Sequence, residues 1–110
     1  MTLAERCYLH TRSFPKEEMY GMTAQIRRSA ASVAANIAEG YGRDSTGSYV
    51  NFLRMSQGSL KELETHLLLS QRVGLGATSG VDPLLSVCDE IGRMLRSLIR
   101  SLQKSEGNQV

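Results

Sequence analysis

The chain has 110 residues, 41% of them hydrophobic and 22% charged. That length and balance describe one soluble globular domain and exclude a disordered chain. Thirteen basic and 11 acidic residues leave a net charge of +2, too mild by itself to declare a nucleic-acid partner.

No apolar run reaches membrane-spanning length, so no membrane partner is expected. The opening MTLAERCYLHTR carries early charges and no apolar core, so no secretory signal is read and a cytoplasmic protein is expected. Cys7 and Cys88 form no CxxC pair and should remain reduced there. Pro occurs only at Pro15 and Pro83, which leaves room for long helices.

The first predicted helix covers residues 2–13. Leu3, Cys7, His10 and Phe14 recur at spacings of four, three and four, and Pro15 ends the pattern. A second helix is predicted over 22–41, with Thr23 available to cap its first turn and Gly40 and Gly42 as its stop. A third runs over 46–73, starting at Ser45 or Thr46 and closing on Gly74. Its apolar face comprises Tyr49, Phe52, Leu53, Ser56, Leu60, Leu63 and Leu67. Gly58 in its interior weakens it by about 1 kcal/mol relative to Ala.

The loop GLGATSGV is expected to be mobile. Asp82 as N-cap and Pro83 at the first helical position then open a fourth helix over 82–104. Leu84, Cys88, Ile91, Leu95, Leu98 and Leu102 form a heptad-like seam, which Val87, Met94 and Ile99 widen. Residues 105–110 are expected to fray. No alternation of period two suggests a strand. The whole reads as a single all-α domain, an antiparallel up-down-up-down four-helix bundle.

The second helix carries three stripes. Ile26, Ala30, Val33, Ile37 and Tyr41 are apolar. Gln25, Arg28, Ser32, Asn36, Glu39 and Arg43 are polar. Ala24, Ala31 and Ala35 form a small-residue stripe. Two readings of that stripe stand side by side: the alanines let a second subunit approach, or they simply favour the helix. Asn36 and Glu39 are read as ordering helix contacts, with Glu39 and Arg43 spaced to pair.

Chemical motifs are scarce. In GYGRDSTG the glycines have the wrong spacing for a dinucleotide loop, and a helix precedes them, so a helix-to-helix turn is the reading. His10 and His66 have no partners at metal-ligand spacing, and no G-x-S-x-G nucleophile motif is present. No catalytic residue, metal or cofactor is expected. Two rows of cations remain. Arg54, Lys61 and Arg72 lie along the third helix, and Arg93, Arg96, Arg100 and Lys104 along the fourth. Such rows often only solvate a face or complement the helix dipole. Repeated around a symmetry axis, they become a multivalent cationic surface for phosphates.

Three stretches carry a resemblance: YGMTAQIRRSAASVAANIAEGYGR, YVNFLRMSQGSLKELETHLLLSQRVG and DEIGRMLRSLIRSL. Together they resemble the four-helix-bundle family of 23S rRNA intervening-sequence proteins, also labelled S23. The label is not evidence of a ribosomal subunit. The resemblance implies a homopentameric barrel of bundles. It also implies kinship with the accessory variability proteins of diversity-generating retroelements, which bind a reverse transcriptase and nucleic acid through a basic surface.

The resulting expectation is a non-catalytic homo-oligomer that grips RNA or DNA by its phosphates. Arg54, Lys61, Arg72, Arg93, Arg96, Arg100 and Lys104 are its candidate contacts, with Arg27, Arg28 and Arg43 as a second tier. The alternative is a protein-interaction scaffold for a partner such as a reverse transcriptase.

Overall fold

The computed structural model describes residues 2–76 and 80–107, and everything below concerns those residues. Four α-helices follow one another: α1 (Thr2–Thr11), α2 (Met22–Tyr41), α3 (Thr46–Arg72) and α4 (Val81–Gly107). A 3-10 turn, Lys16–Glu18, lies between α1 and α2. No strand occurs among the described residues. The helices form an elongated body of 55 × 22 × 18 Å.

Local chemistry sets the helix ends. The Ser45 side chain accepts a hydrogen bond from the Ser48 amide at 3.1 Å, satisfying one of the amides that the first turn of α3 leaves free. Beyond the other end, Gly74 has φ +80°, and the Leu75 amide donates to the Ser70 carbonyl at 2.9 Å. That is a Schellman-type stop, which glycine adopts without strain.

Several helix ends differ from the sequence reading, α3 by a single residue, since it closes at Arg72 rather than 73. α1 ends at Thr11 rather than Ser13, where the Thr11 hydroxyl donates to the Cys7 carbonyl at 2.8 Å. Thr23 does not cap α2. It is buried, and the Met22 amide donates instead to the Glu18 carboxylate at 3.3 Å. Gly40 lies inside the last turn of α2, and Gly42 alone follows the helix end. α4 begins at Val81, so Asp82 and Pro83 sit within its first turn. Pro is tolerated there because first-turn amides have no intrahelical acceptor. α4 also runs on to Gly107, past the expected end at Lys104. The expected mobility of the GLGATSGV loop concerns residues 74–81, of which 77–79 lie outside the described residues and Val81 already belongs to α4. Of the expected frayed tail 105–110, residues 105–107 are helical and 108–110 lie outside the described residues.

The core follows the predicted stripes closely. Leu3, Cys7, Ile26, Ala30, Val33, Leu53, Leu60, Leu63, Leu67, Val81, Leu84, Cys88 and Leu95 are buried together. Ile37, Ile91, Leu98 and Leu102 are only partly covered. Two apolar residues leave their stripes. Tyr41 is 80% exposed and Met94 is 68% exposed, so neither is core.

α2 and α3 form the most extensive helix pair. Small residues permit it, but on a different face from the alanine stripe. Ser56 is fully buried, and its hydroxyl donates to the Val33 carbonyl at 2.8 Å. The Ser32 and Ser59 hydroxyls meet at 2.8 Å. The Asn36 amide donates to the Ser32 carbonyl at 3.0 Å, so Asn36 orders this contact from within α2.

A Cβ added at Gly58 would meet nothing within 4 Å. Gly58→Ala should therefore raise stability by about 0.5–1 kcal/mol, through backbone entropy alone. A thermal melt of the variant checks this, and an unchanged or lowered midpoint would contradict it.

α1 sits against α2 and α4 at one end of the bundle. Arg27 Nε donates to the Thr11 hydroxyl at 2.9 Å, and its guanidinium lies 4.6 Å from the Tyr8 ring centre. A Cβ at Gly80 would fall 2.6 Å from His10 Nδ1, so α1 closes tightly on the start of α4. Ten residues reach only about 15 Å, while α2 and α4 continue well beyond. Past α1 an open groove of about 470 Å³ remains, lined by Ile37 of α2 and by Ile91, Met94, Leu95 and Leu98 of α4.

Candidate nucleic-acid interface

The seven candidate cations all lie exposed on α3 and α4, but they divide by their neighbours. Lys61 Nζ is 3.7 Å from a Glu64 carboxylate oxygen. Arg93 donates to Asp89 at 2.8 Å. Each of these charges is balanced on its own helix at i,i+3 or i,i+4 spacing. Arg54, Arg72, Arg96, Arg100 and Lys104 have no carboxylate within ion-pairing distance among the described residues.

Three of those five converge. The antiparallel pairing of α3 and α4 brings Arg54 opposite Arg96 and Arg100 in a shallow cleft of about 260 Å³. Gln57, Ile99 and Gln103 complete its lining. Every polar group there is a guanidinium or an amide, and no carboxylate takes part. Toward the middle of the bundle lies a smaller hollow of about 60 Å³. Lys61 and Arg96 line it together with Glu64 and Asp89, so its charges are mixed. Lys104 continues the α4 row one turn beyond Arg100. Arg72 stands apart, at the far end of α3.

Sequence reasoning missed Gln57 and Gln103. The signal was present in the helical spacing: Arg54, Gln57 and Lys61 step by three and four, and Arg96, Arg100 and Gln103 by four and three.

The second-tier cations have local tasks. Arg27 ties α2 to α1, as described above. Arg28 donates to the Gln25 side chain at 2.5 Å. Arg43 is ion-paired with Glu39 and lies 4.6 Å above the centre of the Phe52 ring, tying the end of α2 to α3. On the small-residue stripe, Ala24 is half-buried, whereas Ala31 and Ala35 face outward, with no helix of the chain over them.

Burial pushes the Cys7 thiol up to about 11, and burial with nearby Cys7 and Glu64 pushes Cys88 up to about 12. Both are protonated and weakly nucleophilic near neutral pH. Partial burial lowers the pKa of His10, whose Nε2 has no hydrogen-bond partner. No group of three or more His, Cys, Asp or Glu positioned to hold a metal occurs among the described residues. No helix among them is long and apolar enough to cross a membrane.

This geometry defines a four-helix bundle that offers an accessible surface, basic on the α3–α4 side and apolar along the α2–α4 groove. The chain belongs to the family of 23S rRNA-intervening sequence proteins, whose model matches residues 1–97. It is similar to a solved structure from the S23 ribosomal protein family of Bacteroides thetaiotaomicron VPI-5482, described as a protein with unknown function. The two are 26% identical, the match covers 89% of this chain and 92% of the other, and the TM-score is 0.79. No curated protein matches the chain. Neither the family description nor the solved relative indicates a catalytic function.

Proposed function

We propose that this protein is a non-catalytic, cytoplasmic homo-oligomer that binds RNA or DNA through phosphate contacts on its α3–α4 face. The observation that carries this reading is the set of exposed cations that have no carboxylate partner among the described residues: Arg54, Arg72, Arg96, Arg100 and Lys104. Lys61 and Arg93 lie on the same face and contribute less, because Glu64 and Asp89 already balance them. A net charge of +2 per chain hides this local excess. Five copies, the number implied by the family resemblance, would repeat the face around an axis and raise avidity. The outward-facing Ala31 and Ala35 and the uncovered α2–α4 groove leave surface for such contacts. The protonated Cys7 and Cys88 thiols are in keeping with a role without chemistry of its own.

Salt dependence tests the reading, since each phosphate neutralised by a cation releases counterions. Mixed-sequence RNA and duplex DNA should bind the assembled protein at low salt. Affinity should fall by at least about tenfold when salt is raised fourfold. Light scattering of the same sample should give a mass of several chains.

If no nucleic acid binds at low salt, the second reading takes over. In it the chain is a scaffold for a protein partner such as a reverse transcriptase, in keeping with the proposed kinship to retroelement accessory proteins. The exposed Met94 in an open apolar groove favours that alternative.

A further inference from the structure

We infer that the cleft formed by Arg54, Arg96 and Arg100 seats a backbone phosphate of double-helical nucleic acid and reads no bases. This rests on the nucleic-acid reading above and narrows it to one site and one form of ligand.

The lining selects an anion. Three guanidinium groups supply donors and no acceptor, and the Gln57 and Gln103 amides add further donors. Arginine forks suit phosphate oxygens, and glutamine commonly joins them on the sugar-phosphate chain. The acid-bearing hollow next to the cleft begins beyond Arg96, whose guanidinium lies back over Gly92, with Glu64 and Asp89 on the far side. Arg54 and Arg100 face only the acid-free side. The cleft is shallow and open, which suits a group projecting from a larger ligand. Along α4, Arg96, Arg100 and Lys104 are spaced one turn apart, about 6 Å, so the track continues past the cleft.

The same lining argues against a single strand. Proteins that hold single strands stack the bases on aromatic rings. None of the cleft residues is aromatic, and its one apolar member, Ile99, is only 7% exposed. The aromatic residues of α3 lie on its other flank. Tyr49 packs edge-to-face on Tyr41, and Phe52 lies beneath Arg43.

Base reading in a duplex is blocked by shape. Sequence is read mainly in the major groove, which is about 12 Å wide and admits one helix. Here α3 and α4 lie side by side as the two walls of the cleft, in a body no thinner than 18 Å. What remains is contact with the backbone of a duplex, positioned by charge and form.

Fluorescence anisotropy at low salt tests this with four probes of equal length: duplex RNA, two duplex DNAs of unrelated sequence, and single-stranded oligouridine. The duplexes should bind at least about tenfold more tightly than oligouridine, and the two DNAs should bind alike. Arg96→Gln/Arg100→Gln should weaken duplex binding by about tenfold or more and reduce the salt slope by about two. Arg96→Lys/Arg100→Lys, which keeps the charge, should recover most of the loss. Circular dichroism of each variant should show an intact helical fold.

Oligouridine binding as tightly as the duplexes would overturn the inference while leaving the nucleic-acid reading in place. So would strong discrimination between the two DNAs, or a Gln double variant that is folded and binds normally. Failure of all four probes to bind would remove both readings.

Discussion

Leu63→Ala is expected to destabilise the protein by about 2–5 kcal/mol. Leu63 is fully buried at the middle of α3, within the continuous core that joins all four helices. Truncation removes transfer free energy and leaves a cavity that the surrounding helices can only partly close. A domain of this size has a total stability of about 5–15 kcal/mol, so the loss is a large fraction of the whole. Chemical denaturation would show it as a lower midpoint at an unchanged slope. A loss below about 1 kcal/mol would mean that the site collapses freely, contrary to the packing described here.

Gly40→Ala should cost about 1–3 kcal/mol, opposite in sign to Gly58→Ala. Both glycines lie inside helices, where alanine is intrinsically the better residue. At Gly40, however, an added Cβ would fall 2.9 Å from the Phe52 Cβ, 3.1 Å from Tyr49 Cδ1 and 3.3 Å from the Tyr49 carbonyl oxygen. Those atoms belong to α3 or lie close to its backbone, so relief requires α2 and α3 to separate. Thermal melts of the two variants side by side would isolate the effect, because chain entropy acts alike in both. A Gly40→Ala protein as stable as the parent would show that the two helices do not approach this closely.

The second helix shows what a sequence can and cannot disclose. Its bounds were legible because apolar spacing and flanking glycine act locally, and its buried set of Ile26, Ala30 and Val33 followed from the helical period. The same wheel put Tyr41 in the core, yet the helix ends there and its neighbour Tyr49 offers only a ring edge. Met94 failed similarly. Its direction was right, but nothing lies opposite to cover it.

The cationic row of α3 was visible as steps of seven and eleven residues, and that of α4 as i,i+3 and i,i+4 steps. The pairs Lys61–Glu64 and Arg93–Asp89 were legible in the same spacing. Convergence of Arg54 with Arg96 and Arg100 was not, because it depends on how far α4 slides along α3, and no local rule fixes that register. The alanine stripe was read as either admitting a second subunit or simply favouring the helix. The close approach inside the chain nevertheless uses Ser32, Gly40, Ser56 and Ser59, where hydroxyl contacts between helices decide the face.

The brevity of α1 makes the bundle mechanically graded along its axis. Where α1 overlaps α2 and α4, each long helix is braced from several sides, and Arg27 pins the joint. Beyond α1, the distal half of α4 leans on α3 with one flank unsupported, so its restoring force is weaker. Arg96, Arg100 and Lys104 ride on that softer half. One wall of the cationic cleft therefore stands on the part of α4 that α1 does not brace, and the width of the cleft depends on the α3–α4 contact alone.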